Sequence, residues 1–155
     1  FAPLGQTPVV RATGHRFGCN MISAITNRGN LAFMVFEGKF QNPVFIDFMR
    51  RLLRQVKGKL YLIVDGHPVH RLAAAKKFVA ENAQRLRLIR LPGYCPELNP
   101  DELLNQYVKT NALGKSPPAN KVEMVANLRS HLHRRQKQPH LIRSLFREQH
   151  VRYAA

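Results

Sequence analysis

Acidic residues are scarce in this chain, nine against 25 Lys and Arg, cysteine occurs twice, and tryptophan is absent. Each shortage excludes something. Cys19 and Cys95 stand in unrelated contexts, so the chain has neither a disulfide framework nor a cysteine metal site, and reduced thiols in a cytoplasmic protein are expected. No apolar run approaches the roughly 20 residues that a membrane helix needs, and no membrane partner is expected. No targeting segment is visible, and Phe1 reads as the middle of something. The shortage of acids leaves a formal net charge of +16, spread along the sequence rather than confined to a tail. A polyanion is the natural partner for such a surface, with nucleic acid ahead of a lipid headgroup layer.

What is present suits a single α/β domain. At 155 residues the chain is long enough for an ordinary core. Leu60, Tyr61, Leu62, Ile63 and Val64 form an unbroken apolar run ending at Asp65 and Gly66, the pattern of a strand buried on both faces. Asp65 therefore falls at a strand's carboxyl end, where open α/β sheets place their sites. A crossover helix follows, with Val69, Leu72, Ala73, Val79 and Ala83 on one face. Leu86, Leu88, Ile89 and Leu91 then give a second strand, stopped by Pro92 and Gly93. Asn99 before Pro100 is a helix-start signal, which puts Asp101 and Glu102 in the first turn. Two acids with 36 residues between them (102 minus 65 minus 1) can thus converge at one sheet edge.

At these residues the chain resembles the DDE-type transposases of bacterial insertion sequences, related to the mariner group. The resemblance rests on VDGHPVH, around Asp65, and on LPGYCPELNPDELLNQYVK, around Glu102, and it extends upstream to APLGQTPVV at 2–10. It implies that Asp65 and Glu102 are the second and third acids of a metal-binding triad, with a supporting role for His70 near the scissile phosphate. The cofactor implied is Mg²⁺ or Mn²⁺ in a two-metal site when the triad is complete, which suits hard carboxylate oxygens. DNA at transposon ends and targets is the implied partner, in a bacterial cytoplasm near the nucleoid. The family usually has serine where Cys95 stands.

The remaining elements agree with that picture. A short strand is expected at 8–11, then a long strand from Phe17 to Ile25, a turn at Asn27–Asn30 and a return strand from Leu31 to Phe36. Asn42 and Pro43 open a helix that buries Phe45, Phe48 or Met49, Leu52 and Val56 and ends at Gly58. After a break at 114–118 come a helix from Asn120 and a last one over about 139–151. This order is that of a ribonuclease H-like mixed sheet with flanking helices whose first, central strand is missing from this chain. The missing strand would carry the first catalytic Asp, so the stretch is expected to be inactive alone. It would also leave sheet edges open between the hairpin and Leu60–Asp65, inviting a homodimer or a filling by 8–11. Residues 1–113 would form the incomplete core and 114–155 a basic helical extension packed on it.

Plainer readings stand beside these. Glu102, three residues after Asn99, has capping-box spacing, as Glu123 has after Asn120. Asp65 reads equally well as a turn residue, and Asp101 as a partner of the helix dipole. His67 and His70 with Asp65 make a weak zinc pattern. His131 and His133 are expected to face solvent. Arg85, Arg87 and Arg90 beside the Tyr94 loop, with Lys109 beyond Glu102, are candidates for DNA phosphates, and Tyr94 for base stacking. The functional alternatives are a non-catalytic basic nucleic-acid-binding module and another ribonuclease H-like nuclease.

Overall fold

Four residues with little strand propensity, Asn27 to Asn30, interrupt two apolar runs and turn them back on each other. Gly29 takes φ 94° there, and its N–H donates to Thr26 O at 3.0 Å. In the computed structural model, which describes residues 4–6, 9–12, 15–93, 95–113 and 118–155, the strands are β1 (Leu4–Gln6), β2 (Val9–Ala12), β3 (His15–Gly18), β4 (Asn20–Ile25) and β5 (Leu31–Phe36). β4 and β5 pair antiparallel from Asn20↔Phe36 to Ile25↔Leu31. On its other side β4 pairs with β1, Leu4↔Ser23 to Gln6↔Met21, while β2 pairs with β3, Val9↔Gly18 to Ala12↔His15. Partner numbers add to 27 in both ladders, so β1–β2 and β3–β4 form one long hairpin in one register.

The strand added beside β4 is therefore 4–6, not 8–11. Residues 9–12 extend the hairpin outward, and β1 takes the place beside β4. The sheet is nonetheless split. β6 (Leu60–Val64) pairs in parallel only with β7 (Leu86–Arg90), Leu60↔Leu86 to Val64↔Arg90, and among the described residues no ladder joins β6 to β1 or β4.

Alternation along β4 and β5 feeds two cores. Ile22, Ala24, Ala32 and Met34 face helix α1 (Asn42–Gln55), which lays Phe45, Phe48, Met49 and Leu52 against them and against Leu60, Leu62 and Val64. Burying each such side chain is worth about 1.5–3 kcal/mol relative to exposure. Met21, Ile25 and Leu31 point the other way. They meet Leu104 and Val108 of α3 (Pro100–Val108), Met124, Leu128 and Leu132 of α4 (Lys121–Gln136), and Ile142 of α5 (Pro139–Leu145). A π-helical turn, Lys109–Leu113, follows α3, and a 3-10 turn, Gln149–Ala154, closes the chain.

Several expectations are corrected. Only one face of β6 is covered, so Tyr61 is 50% exposed and Ile89, on the same outer face of β7, 41%. The crossover divides into a 3-10 turn, Pro68–Arg71, and α2 (Ala73–Glu81), and Leu72 between them is exposed. The last helix stops at Leu145, and Glu148 recaps the chain by accepting from His150 N at 2.8 Å. His131 is buried, its ring 5.7 Å from that of Tyr107, whereas His133 is exposed and edge-on to Phe33.

Candidate active site

Asp65 leaves the end of β6 and shapes the loop after it. Its Oδ1 accepts from His67 N at 2.9 Å, and His67 Nδ1 in turn accepts from Val69 N at 3.2 Å, starting the 3-10 turn. The side chain stays 27% exposed, and the hydrogen bond it accepts engages Oδ1, so the turn role does not use up the carboxylate. His70 lies beneath this loop rather than on it. It is 2% exposed, packs against Phe45 with ring centroids 4.7 Å apart, and its Nδ1–H donates to Asp65 O at 3.1 Å, with Oδ1 at 3.4 Å. Burial pushes its pKa down, against the pull of the Asp65 carbonyl and carboxylate, and favours the neutral ring.

The loop after β7 is drawn against the Asp65 loop. Leu91 N donates to Val64 O at 2.8 Å, and a Cβ on Gly66 would stand 3.1 Å from Gly93 O. The Arg71 guanidinium lies 3.9 Å from the same point, a cation beside the loop that strand and helix patterns gave no reason to single out. Arg90, at the end of β7, is close enough for its charge to act on His70.

From here the chain enters α3. Pro100 occupies the first turn, and Asn99 Oδ1 accepts from Asp101 N at 3.1 Å. At the start of α4 the same residue types behave differently: Asn120 accepts from Glu123 N, and Glu123 Oε2 reaches back to Ala119 N, both at 2.8 Å. Asp101 is not an exposed partner of the helix dipole. It is wholly buried, with Ser23 Oγ of β4 at 2.8 Å from each carboxylate oxygen. Burial raises its pKa well above the usual carboxylate value. The Ser23 hydrogen bond opposes this, and the charges of Glu102 and Asp65 push it further up. The end of β6 and the start of α3 thus lie near enough for the charges of Asp65 and Glu102 to bear on the buried Asp101, which is biased toward its neutral form.

Glu102 is half-buried and lines a cleft of about 360 Å³ with Glu97, Asn99, Gln106, Glu148 and His150. The far end of the chain is tied down beside this cleft: the Tyr153 hydroxyl donates to Leu98 O. Neither Ser23 nor Glu148 and His150 could be assigned to the site by spacing, since only the tertiary fold brings them there.

The expected cations are distributed unevenly. Arg85 is spent on the backbone, donating to Leu53 O at 2.9 Å, Val56 O at 2.6 Å and Gly58 O at 3.3 Å, and so ties β7 to the end of α1 rather than projecting toward a ligand. Arg87 is exposed beside Tyr61 on the outer face of the β6–β7 pair, and Lys109 is exposed just past α3. Tyr94 lies outside the described residues. Among the described residues no group of three or more His, Cys, Asp and Glu is arranged to hold a metal ion. Asp65 and Glu102 nonetheless suit Mg²⁺ or Mn²⁺, because such ions take one or two carboxylates, keep several waters and need an open site.

Among solved structures the chain is similar to the catalytic domain of Mos1 mariner transposase, with TM-score 0.67 and 11% identity over 94% of this chain and 78% of that one. The same domain with raltegravir and Mg gives 0.66 and 10%, covering 99% and 84%. The Mos1 strand transfer complex gives 0.64 and 9%, covering 99% of this chain and 53% of that one. At such identities the likeness is one of fold, and the fold is ribonuclease H-like. No sequence match is found among curated proteins. The family profile described as DDE superfamily endonuclease spans residues 1–125, including Asp65, Glu102 and all the described strands, and the chain accordingly belongs to that superfamily.

Proposed function

We propose that this chain is catalytic-core sequence of a DDE transposase, cutting and joining DNA ends with divalent metal. The observation that carries the reading is that Asp65, distant in sequence, lies close enough for its charge to act on the buried Asp101, the residue next to Glu102. Asp65 and Glu102 would hold the ion, which when bound would supply Lewis-acid stabilisation of the phosphate and of the attacking and leaving oxygens. The chain's own groups prepare that site. His67 N fixes one Asp65 oxygen, the neutral His70 holds the Asp65 backbone from below, and α3 presents Glu102 from its first turn. Arg71 and Arg90 stand at the rim as cations for DNA phosphates, with Arg87 and Lys109 further out. That Mos1 structures include Mg, Mn and a strand transfer complex supports extending metal use and DNA to this chain.

The open edge of β6 is the place where a second copy or another strand would pair. From Lys115 on the chain holds nine basic and two acidic residues, a net +7, and α4 and α5 within this stretch pack onto the core that β4, β5 and α3 begin.

The rival is a basic nucleic-acid module whose acids are structural, favoured by the +16 charge alone. Mn²⁺ titration followed by NMR separates the two. Paramagnetic broadening centred on Asp65 and Glu102, abolished in the Asp65→Asn/Glu102→Gln protein, is expected. A folded protein with no broadening at either residue would exclude the metal reading, whatever its affinity for DNA.

A further inference from the structure

The end of α1 and the end of α2 enclose a second concave surface, a cleft of about 540 Å³ lined by Arg50, Arg54, Lys57, Phe78 and Arg85 and by no carboxylate. We infer that this cleft binds the backbone phosphates of duplex DNA, at a surface separate from the acidic site. Acids are few in this chain, and those that meet a Lys or Arg do so elsewhere: Arg51 pairs with Asp47 at 3.1 Å, Lys121 with Glu37 at 3.2 Å and Lys77 with Glu81 at 3.9 Å. Here Arg50, Arg54 and Lys57 line one hollow, beside the backbone-bound Arg85, with no carboxylate among the described lining residues.

The plain explanation, cations complementing the carboxyl end of α1, is already satisfied by Arg85, which donates to the carbonyls of Leu53, Val56 and Gly58. Arg50, Arg54 and Lys57 are surplus to that task. Arg50 and Arg54 are one turn apart on the helix, a like-charge spacing that is mildly unfavourable and that a bound anion would relieve. Arg50 also lies over the Phe78 ring at 5.7 Å, which limits its freedom and presents the guanidinium toward the hollow. Lys57 stands just before β6, whose five residues carry the chain roughly 16 Å to Asp65 at about 3.3 Å each. The cleft is thus at the opposite pole of that strand from the acids, and it holds whether or not they bind metal.

The test is DNA binding by the whole chain in EDTA, which removes any contribution from a metal at Asp65 and Glu102. Fluorescence anisotropy with a duplex of about 30 base pairs is read across a salt series, where each lost phosphate contact lowers the slope of log K against log salt by about 0.9. The Arg50→Gln/Arg54→Gln/Lys57→Gln protein should lose about 2–3 from that slope. Arg54→Gln/Lys57→Gln, which keeps the Phe78 contact, should lose about 2 and guards against a folding defect. Arg134→Gln/Lys137→Gln/Arg147→Gln removes the same charge elsewhere and should change the slope by less than about 1. An equal loss in both triple variants, or no loss in the cleft variants, would overturn the inference. So would stabilisation by inorganic phosphate that the cleft triple abolishes while its DNA slope is unchanged, because the site would then take small anions.

Discussion

Replacing Asp101 by Asn tests the electrostatic account of the acid cluster directly. In the unfolded chain Asp101 ionises near the ordinary value of about 3.9. In the fold, burial raises its pKa well above that, aided by the charges of Glu102 and Asp65. Between the two values the folded protein binds one more proton than the unfolded chain, so stability falls as pH rises, by about 1.4 kcal/mol per unit. Below the unfolded pKa this penalty is absent, and above the folded one it is complete and constant. Asparagine has the shape of the protonated acid. Its amide can donate to Ser23 Oγ and its carbonyl can accept the Ser23 O–H, which preserves the contacts now at 2.8 Å. Urea unfolding of both proteins from about pH 5 to about pH 7, in EDTA, isolates the effect because all other titrating groups are shared. The stability of Asp101→Asn relative to the parent should climb by up to about 1.4 kcal/mol per pH unit before levelling off. Parallel curves would refute the reasoning, for they would mean that Asp101 enters the fold charged.

Two further outcomes are expected. Gly29→Ala should be strongly destabilising in a thermal or urea melt, because φ is +94° and the new Cβ would lie 2.5 Å from Pro139 O at the start of α5; Gly38→Ala, at φ +79° in open space, should show only the backbone cost of about 1 kcal/mol. His70, held neutral by burial, adds stability that is complete above the unfolded pKa of about 6.5 and is lost as pH falls toward its lower folded value. His70→Gln should flatten the stability profile between about pH 6.5 and pH 5, and an unchanged profile would place a protonated ring in the fold.

Local chemistry made much of this legible. Leu60–Val64 read as a strand because nothing polar interrupts it, and Asn99–Pro100 announced α3 through a donor-accepting side chain and a residue fixed at helical φ. The resemblance, rather than spacing, singled out Glu102 over Asp101. What stayed hidden depends on distant partners. Ser23 and Asp101 are 78 residues apart, and no periodicity links them. Arg85 looked like one of three equivalent strand cations until the carbonyls at the end of α1 claimed it. His131 seemed solvent-facing because its burial depends on Tyr107 and the packing of α3 against α4. Tyr61 and Ile89 seemed buried because a continuous apolar run does not reveal whether its second face is covered.

The two-sided burial of β4 has a consequence for folding fidelity. A strand with one wet face resists sliding, since a shift by one residue would turn its greasy side to water, but β4 is greasy on both sides and gains little protection from that rule. Ser23 is the exception in its middle. Moved one place along, its hydroxyl would be stranded among Phe45 and Met49, and an interior carboxyl group would lose its companion. A single polar handshake thus indexes the whole meander, and the alignment of the strand is decided at the same spot where the acids assemble.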